Sequence, residues 1–271
     1  MKRSKVQMVR AAVATAALLG LAACGSAEGS EGSTKSTAPD PTLLRDGTMT
    51  VCTSEGREPF VFERGGKVVG FDIDLVGEVA KELDVKVSLV TEDFNEIASG
   101  KPLNANFCDV AIAAVSIDGD RARVVDFSSP YFNAKQVMVV QKGSGIKSLE
   151  DVVGGRIAVQ EASTGETYAN DNRPLDTQIQ SFTDVGDLAD ALSGSQVDAA
   201  IYDNNIVADA IKDNPNFEIV EEFDTGEQYG MLVKKDGNID LLRVINDVLA
   251  DMQEDGRYDT IYGDWFANAS S

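Results

Sequence analysis

Histidine is absent from all 271 residues. That removes Ser-His-Asp and Cys-His catalysis and every histidine-ligated metal site. Cysteine is scarce: three residues, at 24, 52 and 108, without C-x-x-C spacing, so no structural zinc site is expected. Positive charge is short too, with 24 Lys and Arg against 45 Asp and Glu, a net charge of −21 and a pI near 4.3. Such a surface repels nucleic acid and anionic headgroups, so neither is expected as a partner. Its plainest consequence is solubility, and it says nothing about a ligand. The apolar run Ala11–Leu21 has 11 residues, too few to span a bilayer as a mature helix.

What is present is an ordinary globular composition, 43% apolar and 25% charged, long enough for one or two domains with a real core. Lys2, Arg3, Lys5 and Arg10 precede the apolar run, which ends in Leu21-Ala22-Ala23-Cys24-Gly25. This is the layout of a secretory signal. The Leu-Ala-Ala-Cys box resembles the lipobox of bacterial lipoproteins, which implies that Cys24 is acylated and becomes the first mature residue. The competing reading is a buried N-terminal helix with a chance cysteine. Loss of residues 1–23 would remove four basic residues and no acidic one, leaving 20 against 45 and a net charge of −25. Residues 24–42 are mostly Gly, Ser, Glu, Thr, Ala and Pro, too poor in apolar surface to fold, and read as a flexible tether. Export would place Cys52 and Cys108 in an oxidising compartment. Both lie in strand-like runs, and a disulfide between them is expected ahead of two buried thiols.

Along the rest of the chain strands and helices alternate. Met49–Thr53 reads as a strand, Phe60–Gly70 as a hairpin and Phe71–Asp84 as a helix, with Ile73, Val76, Val79, Ala80 and Leu83 at helical spacing. Lys86–Val90 (strand), Asp93–Ser99 (short helix) and Cys108–Val115 (buried strand) follow. The second cycle reads Lys135–Gln141 as a strand, Ser148–Val153 as a capped turn of helix and Arg156–Gln160 as a strand. Then come a helix from Gly165, a strand Gln178–Ser181, a helix Val185–Leu192, a strand Ala199–Tyr202 and a helix Asn205–Lys212. Strands Phe217–Val220 and Gly230–Val233 precede helical Ile239–Met252 and Tyr258–Phe266, broken at Gly256. This is an α/β pattern with parallel strands, run twice, and it implies two lobes with a ligand where strand C-termini meet.

Gly70-Phe71-Asp72-Ile73-Asp74-Leu75, then Arg121 through Asp126-Phe127-Ser128-Ser129-Pro130-Tyr131, then Gly256-x-Tyr258-Asp259 before Trp265-Phe266, together resemble the polar amino-acid binding proteins of ABC importers. The landmarks keep their order over residues 48–267. The resemblance implies a two-lobed periplasmic-binding-protein-like fold of type II with two crossover hinge strands. Lobe one would take 43–131 plus 230–271, and lobe two 135–226. It implies no cofactor, a free amino acid as ligand, a membrane ABC permease as partner and a monomer, while the lipid anchor is implied by the lipobox resemblance above. Carried onto this chain, Arg121 pairs with the ligand α-carboxylate, helped by Ser116, the backbone of Ala114, and Ser163 and Thr164 from lobe two. Asp203 takes the α-amino group. Taken without the resemblance, Arg121 reads equally as a surface arginine, Asp203 as an N-cap and Ser163-Thr164 as a helix cap.

The pattern departs from the family at two positions. Ser54 stands where members taking basic ligands often carry Asp, and Arg57 where an aromatic usually packs on the ligand. Loss of that acid disfavours a cationic side chain, although Glu55 and Glu58 lie close by. An inward Arg57 suits an acidic or amide side chain; an outward one says nothing. Phe94, Gln160 and Tyr202 are expected to complete the pocket, and the expectation leans to glutamine or glutamate. Three rival readings stand beside it, two of them enzymes that share the fold. A cyclohexadienyl dehydratase would need a proton donor, and no acid stands out beyond Glu161 or Glu166. A ligand-sensing ectodomain would have to signal through a partner. A lytic transglycosylase would need a further catalytic domain.

Overall fold

The computed structural model describes residues 41–266. The leader, Cys24 and the tether through residue 40 lie outside the described residues.

Two five-stranded sheets carry the architecture. The first half begins with β1 (Thr48–Thr53), the hairpin β2 (Phe62–Arg64) and β3 (Lys67–Val69), α1 (Phe71–Glu82) and β4 (Lys86–Thr91). It continues through α2 (Phe94–Ala98), α3 (Lys101–Asn104), β5 (Val110–Ala111), a 3-10 turn at Arg121–Arg123 and β6 (Val125–Phe127). The second half holds β7 (Phe132–Gln141), a 3-10 turn at Leu149–Val152, β8 (Arg156–Gln160), α4 (Thr164–Asn172) and β9 (Gln178–Phe182). Then come α5 (Val185–Ser193), β10 (Ala199–Asp203), α6 (Val207–Ile211) and β11 (Phe217–Tyr229). β12 (Leu232–Lys234), α7 (Ile239–Asp255) and α8 (Arg257–Phe266) close the chain.

Strand order is β4-β1-β5-β12-β6 in one sheet and β11-β7-β10-β8-β9 in the other. The expected parallel sheets are in fact mixed. In each sheet one strand runs against the other four: β12 in the first and β7 in the second. These are the strands that arrive from the opposite sheet. Their reversal follows from the crossing, because a strand entering from the cleft side runs opposite to strands that end there. The two crossings lie side by side, with Phe132 paired to Tyr229 and Asn133 to Gln228.

Each sheet is covered by helices whose apolar residues face it. Leu75, Val76 and Val79 of α1 and Leu241, Ile245, Val248 and Met252 of α7 share one core with β1 and β12. Gly70 at the start of α1 has φ 141°, and a Cβ there would lie 1.9 Å from the Phe60 carbonyl oxygen, so only glycine fits. Gly256 adopts the left-handed conformation that ends α7 and lets α8 turn off it. Leu188, Ala191 and Leu192 of α5 pack on the second sheet. Cys52 and Cys108 form a disulfide with a Cα–Cα distance of 5.8 Å, inside a small core with Phe94, Ile97 and Leu103.

Three stretches differ from the sequence pattern. Cys108–Val115 is buried throughout, but only Val110–Ala111 pairs as a strand, because Ala114 turns to φ 50° and leaves the ladder. A second short helix, Lys101–Asn104, follows α2. β11 runs through the polar stretch Glu221–Tyr229, which alternation did not mark. It is an edge strand hydrogen-bonded to β7 alone, with register shifts at Ile219/Glu221 and Phe223/Glu227, so most of its side chains meet water.

Candidate functional site

The C-terminal ends of β1, β5, β8 and β10 converge, and the residues just beyond them meet in one cluster. Arg121 begins the 3-10 turn ten residues after β5. It is 8% exposed, which removes the surface-arginine reading. Its Nε pairs with Asp118 at 3.0 Å, and its two terminal nitrogens donate to the Ser116 and Ala162 carbonyls at 2.7 Å each. The Ala162 bond reaches from the first sheet to the second. Burial pulls the guanidinium below its ordinary pKa, while Asp118 and Asp203 oppose that shift.

On the facing side, Thr164 opens α4. Ser163 is its N-cap, accepting from the Glu166 N–H at 3.0 Å and donating to the Gln160 carbonyl at 2.7 Å. The cap reading therefore describes the Ser163 hydroxyl, while Thr164 turns towards Ser116, 3.3 Å between hydroxyl oxygens. Asp203, at the end of β10, is not a cap: α6 starts at Val207 and its N-cap position is Ile206. Its carboxylate instead accepts from Gln136, from the Tyr229 hydroxyl at 2.7 Å and from Arg57 at 3.3 Å.

Arg57 points inward and is 2% exposed. Its guanidinium carbon lies 4.3 Å from the centre of the Phe94 ring, and it donates to Gln160 Oε1. Phe94 and Gln160 thus meet Arg57. Tyr202 lines the same space, with burial pushing its hydroxyl pKa up. Ser54 is buried but does not line it. Glu55 turns to the Thr91 hydroxyl and Glu58 towards Lys212, so neither acid joins the cluster. Between Arg57, Gln136, Gln160, Ser163, Tyr202 and Asp203 the remaining cavity is about 10 Å³.

Sequence reasoning missed Gln136, Tyr229, Glu227 and Asp72. Gln136 and Tyr229 sit on the crossing strands, where no local pattern marks a polar pair as inward. Asp72 entered the sequence reading only as part of the Gly70–Leu75 landmark, with no role of its own. It is completely buried and accepts the Ala114 N–H at 2.7 Å, which holds the left-handed turn at Ala114 beside Ser116. Burial raises its pKa from 3.8 to about 7, against the Ala114 N–H, the Tyr131 hydroxyl and Arg57, which favour the charged form.

That shift has a sign. The folded chain holds a proton on Asp72 over a range in which the unfolded chain has lost it, so stability falls as pH rises from about 4 to about 7. Asp72→Asn keeps an acceptor for Ala114 and should remove that part of the slope, roughly 4 kcal/mol at most. Urea denaturation of both proteins at pH 5 and pH 8 tests this; equal slopes would contradict it.

Among the described residues no helix is long and apolar enough to cross a membrane, and no cluster of acidic or sulfur ligands suits a metal. A family model described as bacterial extracellular solute-binding proteins, family 3, matches residues 49–268. The chain belongs to this family. Among curated relatives of this solute-binding protein, the ABC transporter glutamine-binding protein GlnH of Bacillus subtilis (strain 168) is 33% identical over 260 residues, covering 92% of this chain and 93% of GlnH. Two solved structures of an ancestral arginine-binding protein also match. The arginine-bound form is 41% identical with a TM-score of 0.75, covering 81% of this chain and 98% of that one. The glutamine-bound form is 40% identical with a TM-score of 0.74, covering 82% and 99%. These relatives are binding proteins rather than enzymes, so the dehydratase reading has no support from them.

Proposed function

We propose that this solute-binding protein captures a polar amino acid, glutamine or glutamate, between its two lobes and delivers it to a membrane ABC permease. The protein acts as a monomer held at the outer face of the cell membrane by acylated Cys24, after removal of residues 1–23. Lobe one is 43–131 with 230–271, and lobe two is 135–226. The observation that carries the reading is the convergence across the cleft. Arg121 and Ser116 face Thr164 at one pole, and Asp203 stands at the other with Arg57 over Phe94 between them.

In this reading the ligand docks first on lobe one. Arg121 has five N–H donors; Asp118 and the Ser116 carbonyl take two of them on lobe one and the Ala162 carbonyl takes a third on closure, so two are left for both carboxylate oxygens. Closure adds Thr164, the free N–H groups at the start of α4, and Asp203, which neutralises the ammonium. Those contacts exist only in the closed form, which is what makes the ligand drive closure. Arg57 then sets selectivity. A buried guanidinium donates to a side-chain carboxylate or amide and repels a cationic side chain. The likeness to a glutamine-binding relative supports the same choice.

A thermal-shift panel with the twenty amino acids tests the proposal. The true ligand at a hundred times its Kd should stabilise the chain by about 2.7 kcal/mol, and a flat panel would refute the assignment. Arg57→Ala should weaken glutamine or glutamate binding about tenfold and narrow the preference over arginine. Calorimetry with the three ligands reads both effects; an unchanged ranking would show that Arg57 is not the selector.

A further inference from the structure

Glu227 belongs to no motif of the sequence and lies in the half of β11 that crosses between the sheets. One oxygen of its carboxylate, Oε2, receives hydroxyl protons from both sides of the cleft. Ser116 donates to it at 2.8 Å and Thr164 at 2.6 Å. The amide of Gln136 lies 3.3 Å from each carboxylate oxygen. The Glu227 charge also acts favourably on Arg121. A carboxylate therefore already stands on the donor set that, in the function proposed above, receives the carboxylate of a ligand.

Proton counting makes the two carboxylates exclusive. A hydroxyl has one proton to donate, and Ser116 and Thr164 both give theirs to Glu227. A second carboxylate on the same hydroxyls would find no proton, and would sit beside a like charge in a half-buried site. We propose that Glu227 is an internal occupant of the cleft: it ties Ser116 to Thr164 across the lobes and must leave them before a ligand carboxylate takes their protons. The inference rests on the proposed function for its second half only. The first half, a hinge carboxylate joining two lobes, stands on the contacts themselves.

The tie stabilises a closed form without ligand, and that form is not competent to bind, so apparent affinity is lower by the fraction it takes. Removing the carboxylate should loosen the unliganded cleft and tighten ligand binding together. A residue that merely supports the fold or the closed ligand complex would do the opposite to affinity.

The experiment uses the full chain and the variants Glu227→Ala and Glu227→Gln, with circular dichroism and melting curves to establish that each is folded. Small-angle scattering of the unliganded proteins should give Glu227→Ala a larger radius of gyration than wild type. Calorimetry with glutamine should give it an affinity roughly tenfold higher. Glu227→Gln, which keeps a neutral acceptor, should fall between the two. Glutamine binding that is unchanged or weaker in Glu227→Ala overturns the second half of the proposal, the exclusion of a ligand carboxylate. Should wild type bind none of the twenty amino acids, the functional reading fails, and scattering alone then decides. An unchanged radius of gyration would leave Glu227 no role as a tie.

Discussion

Arg121→Ala should weaken amino-acid binding by about a hundredfold, or about 3 kcal/mol, the cost of leaving a buried charge without its partner. The side chain is firmly held. It is buried, its Nε is fixed by Asp118, and its terminal nitrogens anchor the Ser116 and Ala162 carbonyls. Asp118 and the Ser116 carbonyl, both on the same lobe as Arg121, orient the group before a ligand arrives, so little ordering is left for binding to oppose. Alanine removes the ligand's counter-charge and also frees the cross-lobe bond to Ala162. Lysine would not substitute, because a single ammonium cannot reproduce the fork that holds the Ser116 and Ala162 carbonyls and, in the proposed function, a carboxylate as well. Calorimetry on a folded Arg121→Ala protein is the check. Affinity within a factor of three of wild type would remove Arg121 from the site.

Replacing Cys52 and Cys108 together with alanine should cost about 4 kcal/mol of stability in the chain-entropy account, given the closed loop of 56 residues' separation. That is a large share of the 5–15 kcal/mol that folded domains possess. The loop holds β2, β3, α1, β4, α2 and α3, and the bridge joins the neighbourhood of β1 and β5, which are already paired at Cys52 and Ala111. The native contacts therefore survive the substitution, and the loss comes from freeing the unfolded chain. Two small voids in the core with Phe94, Ile97 and Leu103 add to it. Urea denaturation of the oxidised protein and the double variant measures the difference, with ligand affinity far below the midpoint expected to stay unchanged. A loss under 1 kcal/mol would show that the bridge is not a stability element.

Much of the fold was legible from local pattern. The helical spacing of α7, the stop at Gly256, the Ser148–Asp151 capping box and the bounds of β8 all read directly from residue order. They are set by interactions within a few residues of one another, so a one-dimensional reading captures them. The mixed sense of the two sheets did not read so. It depends on the side from which β7 and β12 enter, and only the crossings decide that. The polar half of β11 was invisible for a related reason: an edge strand half in water shows no apolar alternation.

The sequence by itself determined the α/β class, the two-lobed fold and the family to which the chain belongs, and it favoured a disulfide between Cys52 and Cys108, which the structure contains. Only the tertiary structure decided that Arg57 points inward to Phe94, Gln160 and Asp203, that Asp203 is no cap, that Asp72 is buried beneath Ala114, and that Glu227 stands on Ser116 and Thr164. The physical reason is separation along the chain. Arg57 meets Asp203 across 146 positions, and Glu227 meets Ser116 across 111. Polar contacts between residues so far apart in the chain leave no periodicity, no cap signal and no turn chemistry in the order of residues. It exists only where two lobes bring the ends of their strands together.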